Sequence, residues 1–204
     1  MNFADVLNGS PLIKSADTNW NSIPFAGDAV RCGKIPEVAE ELGSLTSFIN
    51  AGSQATTGEY PWVALVELGV VGSNGNELFC GGVLITKYHV LCAAHCMVPH
   101  RRIGDRNLYT GNIEDVKIRM GAPERSAEID QDLTFGVERI TMHPQSSLVG
   151  TPKYDIAIIK LRTPVPYSSS IYPICLPKSQ ENFRGSNATV VGWGKDGYSN
   201  TGKT

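Results

Sequence analysis

A histidine at the end of a short apolar run is the first residue in this sequence that could carry out chemistry. His95 follows two alanines and precedes Cys96, within residues 90–96. The small alanines allow the backbone to turn tightly, and Cys96 could fix that turn to a neighbouring strand. An imidazole held in one orientation suits general-base catalysis, because its unperturbed pKa lies near neutral pH. Taken alone, however, a histidine beside a buried segment is more often a packed core residue.

The same region offers a second chemistry, that of a metal site. Cys80, Cys92, His95 and Cys96 are soft ligands of the kind that zinc prefers. The adjacent His95 and Cys96 would both have to turn toward one ion, and the cysteines lack the paired spacing that is usual in zinc sites. The sequence therefore does not favour a metal at this position.

Further short motifs accompany the histidine motif in a fixed order. They are Gly-Glu-Tyr-Pro-Trp at 58–62, Asp-Ile-Ala-Ile-Ile-Lys-Leu at 155–161 and Gly-Trp-Gly at 192–194, together with Cys32-Gly33 and Cys175-Leu176-Pro177. This set resembles the trypsin- and chymotrypsin-like serine proteases (peptidase S1), whose histidine motif is usually Thr-Ala-Ala-His-Cys. The resemblance covers residues 32–204. Each motif is short, but their joint order is specific.

The resemblance implies a catalytic role for two residues. In the family, a serine attacks the substrate carbonyl, a histidine accepts the serine proton, and a buried aspartate orients the histidine. His95 matches the histidine and Asp155 matches the aspartate. Without the resemblance, Asp155 would be interpreted as a turn residue before an apolar strand. The resemblance also implies no cofactor, and it implies polypeptide substrates or protease inhibitors as partners.

The nucleophile of the family has no counterpart in this sequence. The family places its serine in Gly-Asp-Ser-Gly-Gly, and nothing after Trp193 resembles that motif. No Gly-x-Ser-x-Gly elbow occurs elsewhere in the chain. The oxyanion-hole donors of the family come from the same loop as the serine. We therefore expect a chain that is incomplete at its C terminus and inactive as a peptidase on its own.

The start of the matching region supports an alternative function. The family carries Ile-Val-Gly-Gly at the end that is exposed when the zymogen is cut. This sequence has Ile49-Asn50-Ala51-Gly52 there, and Phe48 precedes it where a basic residue is usual. A non-catalytic homologue that acts as a binding or regulatory protein is therefore the alternative to a serine endopeptidase.

The composition is that of an ordinary globular protein. The 204 residues could form one or two domains with a sizeable core, and 41% of them are apolar. The net charge of −2 provides no basic excess for nucleic acid or an anionic membrane. No apolar run approaches the roughly 18 residues of a membrane span. Asp5, Asn8, Ser10 and Lys14 interrupt any apolar stretch in residues 1–20, so we expect no signal peptide within them. Because the family is mostly secreted, we expect a fragment of a secreted, extracellular protein.

The resemblance also suggests how the five cysteines pair. It implies one disulfide between Cys80 and Cys96, beside the histidine, and a second between Cys32 and Cys175. Cys92 stands where the family usually has threonine or serine. We expect Cys92 to be a buried, inert thiol, and a redox or disulfide-exchange role is the alternative.

Short strands separated by turns must position these residues. Apolar residues that alternate with polar ones, or that form short runs, predict strands at 62–71, 78–85, 116–120, 135–142 (with a slip before Ile140), 156–161 and from Val190. Turns are predicted at 72–76 and 87–89, and a surface loop at 98–113. The absence of a convincing long helix predicts an all-β barrel. The resemblance makes this a trypsin-like double β-barrel whose first antiparallel barrel is present and whose second is largely missing.

Three segments follow from this interpretation. Residues 1–31 form a linker or the remnant of an upstream module, and residues 32–48 form a pro-segment or activation region. Residues 49–204 form the peptidase domain, truncated within the second barrel. Asn187 begins an Asn-Ala-Thr sequon and is a candidate for glycosylation.

Overall fold

The structure, a computed structural model, describes residues 32–33, 55–69, 78–98, 112–121, 133–147, 153–177 and 181–193. Six strands are present: β1 (Val63–Leu68), β2 (Leu78–Thr86), β3 (His89–Cys92), β4 (Val116–Met120), β5 (Thr134–Met142) and β6 (Ala157–Leu161). Two short 3-10 turns, Ala94–Met97 and Ile113–Asp115, lie between strands. Among the described residues, no helix has the length and apolar character needed to cross a membrane. The predicted all-β class is confirmed.

The six strands form one closed antiparallel barrel. Their order around the barrel is β1-β2-β3-β6-β5-β4, and the pairing of β1 with β4 closes it. Closure pairs every barrel strand on both sides, so that no edge is left to recruit another strand. The described ranges contain this barrel and no second one.

The core of the barrel consists of alternate side chains from each strand. On β1, Ala64, Val66 and Leu68 point inward, because successive residues of a strand face opposite sides of a sheet. Val116, Ile118 and Met120 do the same on β4. These three are the apolar positions that the sequence pattern of β4 assigns to a buried face. The alternation of the sequence therefore decides which side chains fill the barrel.

Arg119 departs from the predicted alternation. The pattern of β4 places both Lys117 and Arg119 on a solvated face, and Lys117 is exposed there. Arg119 is only 4% exposed, and its Nη2 lies 3.1 Å from Glu67 Oε1 on β1. A buried charge requires a partner of opposite charge, and the pairing of β1 with β4 supplies one. Local alternation could not reveal this ion pair, because it joins two strands that are distant in sequence.

Several element boundaries agree with the sequence within a few residues. The predicted slip in the fifth strand is present as a register shift between Val137 and Arg139, before Ile140. The predicted turn at 87–89 is shorter than expected, because His89 is already part of β3, where it pairs with Lys160 of β6. The predicted turn at 72–76 and most of the predicted loop at 98–113 lie outside the described residues.

The strand predicted from Val190 is absent. Residues 186–191 are described without regular secondary structure, and Val190 is 82% exposed. A β-strand requires a neighbouring strand that exchanges backbone hydrogen bonds with it. None of the six described strands pairs with this segment, so two consecutive valines are not sufficient to form a strand here.

Candidate active site

His95 lies in a tight turn at the end of β3. The strand ends at Cys92, and the 3-10 turn Ala94–Met97 follows at once. The Cys96 backbone N–H donates to the Ala93 carbonyl, at an N–O distance of 3.3 Å. Ala94 is fully buried at the start of the turn, where a larger side chain would need core volume. The imidazole of His95 remains 55% exposed. The turn therefore buries Ala94 and Cys96 and leaves the ring of His95 exposed to solvent.

A disulfide fastens this turn to the barrel. Cys96, in the turn, is bonded to Cys80 on β2, 16 residues earlier in the chain. Cys96 is buried, and Cys80 packs partly buried against the core. A link of this kind removes conformations from the unfolded chain and holds the turn against its neighbouring strand. The residue that follows His95 is thereby fixed in place.

The pairing of β3 with β6 brings Asp155 to the same end of the barrel. Cys92, the last residue of β3, pairs with Ala157, the first residue of β6. His95 lies three residues after Cys92, and Asp155 lies two residues before Ala157. Antiparallel pairing places the end of one strand beside the start of the other. Residues that are 60 positions apart in the chain are therefore neighbours in the fold.

Asp155 contacts His95 at two points. The Asp155 Oδ1 atom accepts a hydrogen bond from the backbone N–H of His95 at 2.8 Å. The Asp155 Oδ2 atom lies 2.7 Å from His95 Nδ1. One carboxylate thus fixes both the backbone and the ring of the same residue. The position of the ring relative to its own main chain is thereby set.

These contacts keep the Asp155 carboxyl group ionised. Burial would raise the pKa of Asp155, but hydrogen bonds from the His95 ring and backbone and from the Ala94 backbone outweigh it, and the pKa is lowered. An ionised carboxylate can only accept hydrogen bonds, so the proton between the two side chains belongs to His95 Nδ1. In the neutral ring, Nε2 then carries the lone pair. The arrangement is that of a base whose tautomer is set by a carboxylate.

The described residues provide no serine nucleophile for this base. The ring nitrogen Nε2 lies 3.6 Å from Cys96 Sγ, and no serine hydroxyl of the described ranges is hydrogen-bonded to the ring. A general base must lie within hydrogen-bond reach of the proton that it removes. What the structure brings together is therefore a base and its orienting carboxylate.

The cysteines around His95 are unsuited to a metal ion. Ligand atoms of Cys80, His95 and Cys96 lie within 4.8 Å of one another, but the two sulfurs are bonded to each other and cannot act as thiolates. The fourth ligand considered from the sequence, Cys92, is a free, buried thiol. Burial and the nearby charge of Asp155 raise the pKa of Cys92 to about 12. At neutral pH it stays protonated and is not a thiolate ligand.

The second disulfide joins Cys32 to Cys175, across 143 positions. Beside it, Gly33 adopts a φ of +65°, and its N–H donates to the Pro173 carbonyl at 2.9 Å. A side chain at Gly33 would be strained in this left-handed conformation. The link therefore attaches an early segment of the chain to the segment that follows β6.

Asn187 lies on an exposed stretch of the chain. Residues 181–190 are all exposed and contain no helix or strand. The sequon asparagine is thus accessible, and it lies outside the barrel that carries His95 and Asp155.

Sequence reasoning missed two residues next to Asp155. Tyr154 directly precedes the carboxylate and adopts a φ of +50°, and it is the only non-glycine residue among those described with a positive φ. Its ring stacks on that of His143, with centroids 4.6 Å apart. In the sequence, His143 is recognisable only as part of a His-Pro pair that ends a strand. No sequence signal indicates that Tyr154 adopts a left-handed backbone conformation.

Comparisons with known proteins find serine proteases among the relatives of this chain. A family model described as trypsin matches residues 49–204. The chain is 32% identical to serine protease filzig of Drosophila melanogaster over 183 residues, which is 87% of the chain and 10% of that protein. It is 30% identical to serine proteinase stubble of the same fly, over 90% of the chain and 23% of that protein. It is 35% identical to phenoloxidase-activating factor 3 of Holotrichia diomphalia, over 85% of the chain and 50% of that protein. The matched region therefore spans between a tenth and a half of the length of these relatives.

Proposed function

The chain belongs to the trypsin family of serine proteases, and we propose that it is part of a serine endopeptidase in which His95 is the general base and Asp155 orients it. The observation that carries this proposal is the two-point contact of the Asp155 carboxylate with the backbone N–H and the Nδ1 atom of His95. A surface ion pair needs only one such contact. The contact at Nδ1 sets the tautomer of the ring, and the contact at the backbone N–H fixes the carboxylate relative to the main chain of the same residue.

The proposed chemistry follows from the protonation of the two side chains. His95 Nε2 takes the proton of a serine hydroxyl while the hydroxyl oxygen forms a bond to the substrate carbonyl carbon. The ring then gives that proton to the leaving amine as the peptide C–N bond breaks. Asp155 stabilises the imidazolium between these two transfers, and it stays ionised throughout. A water molecule takes the place of the serine hydroxyl when the acyl group is hydrolysed.

We also propose that residues 1–204 alone do not hydrolyse peptides. The sequence contains no Gly-Asp-Ser-Gly-Gly motif, and it contains no other serine in a nucleophile elbow. The base and its carboxylate have no acyl-enzyme route without a nucleophile. Loss of a single oxyanion-hole donor typically reduces the rate by about 100–1,000-fold, so loss of both nucleophile and donors leaves no measurable activity.

The proposal also includes the substrates, the location and the domain organisation of the protein. The substrates are polypeptides, and protease inhibitors are further partners. The protein acts outside the cell, which the two disulfides support, because disulfides persist in oxidising compartments. Asn187 carries a glycan there. Residues 1–31 belong to a linker or upstream module, residues 32–48 to an activation region, and residues 49–204 to the peptidase domain.

The alternative function is that of a non-catalytic homologue, which binds a protease, an inhibitor or a surface. Three residues of the region where the family is activated favour it. Phe48 replaces the usual basic residue, and Asn50 and Ala51 replace the usual valine and glycine. The intact pair of His95 and Asp155 favours the enzyme, because a binding protein has no need of an oriented base.

The natural transcript beyond codon 204 separates the two functions. An in-frame Gly-Asp-Ser-Gly-Gly motif, together with hydrolysis by the encoded protein that is lost in His95→Ala, would support the endopeptidase. A replaced serine in that motif, or a transcript-encoded protein that hydrolyses no peptide either as wild type or as His95→Ala, would refute it and support the binding homologue.

A further inference from the structure

Tyr154 holds an unfavourable backbone conformation directly before Asp155. Its φ of +50° lies in the left-handed region, where the Cβ of an L-residue crowds its own backbone. Glycine, asparagine and aspartate occupy this region far more readily than a bulky aromatic residue does. A tyrosine at this position therefore requires contacts elsewhere that keep it there.

The ring of His143 provides one such contact. The two rings are stacked, with centroids 4.6 Å apart and planes that differ by 6°. The ring of His143 is itself fixed, because its Nδ1 accepts a hydrogen bond from the Gln145 backbone N–H at 3.1 Å. Tyr154 is 55% exposed, so its ring is held by this stack and is not buried in the core. The stack thus joins the residue after β5 to the residue before Asp155.

Two backbone hydrogen bonds link His143 to Tyr154 through Ile156, the residue after Asp155. The His143 N–H donates to the Ile156 carbonyl at 3.0 Å, and the Ile156 N–H donates to the Tyr154 carbonyl at 2.8 Å. Asp155 is the residue enclosed by the second bond. Rotation of the Tyr154 backbone out of the left-handed region would reorient the peptide group that enters Asp155. It would move a carboxylate whose two contacts with His95 measure 2.7 and 2.8 Å.

We propose that His143 and Tyr154 form an aromatic clamp that positions Asp155 against His95. Both are positioning residues, since they act on His95 only through the carboxylate. A role of the clamp in catalysis rests on the proposed function. Its physical effect is a property of the Asp155–His95 pair and does not depend on whether the protein cleaves peptides.

The test uses variants that separate the stack from the other roles of these residues. Tyr154→Leu removes the ring and keeps a bulky residue that, like tyrosine, is disfavoured in the left-handed region. His143→Asn removes the other ring and keeps an oxygen that can accept from the Gln145 N–H. The matched controls are Tyr154→Phe and His143→Phe, which keep an aromatic ring at each position. Each is made in the full 204-residue chain, and folding is checked by thermal melting.

Two nuclear magnetic resonance signals report on the pair itself. One is the low-field proton signal of His95 Nδ1–H, and the other is the titration of the Asp155 carboxyl carbon. In Tyr154→Leu and in His143→Asn we expect the Nδ1–H signal to shift upfield or to be lost by exchange. We also expect the pKa of Asp155 to rise toward its ordinary value, because the hydrogen bonds that lower it are lost. The two phenylalanine controls should keep the signals of the wild-type chain.

The double variant distinguishes a clamp from two independent effects. Because each single change already removes the stack, Tyr154→Leu combined with His143→Asn should alter the Nδ1–H signal no more than either change alone. If Tyr154→Leu and His143→Asn fold and keep both wild-type signals, the proposal is overturned, even if their melting temperatures fall. A change in the signals of the phenylalanine controls equal to that in Tyr154→Leu and His143→Asn would overturn it as well. A transcript that lacks the family's serine would refute the endopeptidase and leave these results unaffected.

Discussion

Cys92 on β3 lies directly opposite Ala157 on β6. This one pairing fixes the distance between the two residues of the candidate site, because His95 follows Cys92 closely and Asp155 closely precedes Ala157. The geometry of the site therefore depends on the register of two strands as much as on the two side chains. A shift by one residue would turn the inward side chains of β6 outward and would separate the carboxylate from the ring.

The first prediction concerns activity. Purified residues 1–204 should show no hydrolysis of casein or of a fluorogenic peptide library, and they should not be labelled by a serine-directed phosphonate probe. The physical reason is that His95 and Asp155 provide a base without a nucleophile. His95→Ala, prepared in the same way, is the control for contaminating proteases. Turnover or labelling that disappears in His95→Ala would show that another serine of the chain reaches the ring.

The second prediction concerns the pH dependence of stability. Asp155→Asn leaves an amide that can accept only one of the two hydrogen bonds from His95, and it should lower the free energy of unfolding at pH 7 by about 1.5–3 kcal/mol. The pKa of Asp155 is lower in the folded chain than in the unfolded chain. Its contribution is therefore fully present above the unfolded pKa of about 3.9, and it is lost as the pH falls through the folded pKa.

Urea denaturation of both proteins between pH 7 and pH 2.5 measures this effect. The difference in unfolding free energy between wild type and Asp155→Asn should shrink toward the acidic end of the range. A difference that stays constant with pH would mean that the variant acts by packing and not by charge.

The third prediction concerns the cysteines. Non-reducing peptide mapping of protein secreted into the medium should recover Cys80 linked to Cys96 and Cys32 linked to Cys175. Cys92 should react with iodoacetamide at pH 8 only after denaturation, because it is 6% exposed and burial raises its pKa to about 12. Recovery of a Cys80–Cys92 peptide would contradict the pairing around His95. Rapid alkylation of the native protein would contradict the buried, inert thiol.

The fourth prediction compares two adjacent glycines of β2. A Cβ atom on Gly82 would lie 2.8 Å from Val90 Cγ1 and 3.1 Å from the Leu91 carbonyl oxygen, whereas a Cβ atom on Gly81 would meet nothing within 4 Å. Gly82→Ala should therefore destabilise the chain by about 1–3 kcal/mol through overpacking. Gly81→Ala should be close to neutral, within about 0.5 kcal/mol. Chemical denaturation of the two variants checks this, and equal effects would show that β2 and β3 do not approach so closely.

The sequence predicted the strands that have clear alternation, but it did not show which strands pair with one another. Residues 116–120 and 135–142 were recognisable because apolar residues recur at every second position. The same reasoning predicted a strand from Val190, but the described residues 190–193 form none, and none of the six described strands pairs with them. It also placed Arg119 in solvent, because the partner that compensates its burial, Glu67, is on a strand more than 40 positions away.

By itself, the sequence determined the chemical inventory of this protein. It contains a histidine between small residues and a cysteine, an aspartate before an apolar run, and alternating residues sufficient for a barrel. The tertiary structure alone decided how these parts meet. It set the register of β3 and β6, the two contacts between Asp155 and His95, and the stack of Tyr154 on His143. The contact between His95 and Asp155, which are 60 positions apart, depends on the pairing of β3 with β6, and no local pattern of side chains encodes it.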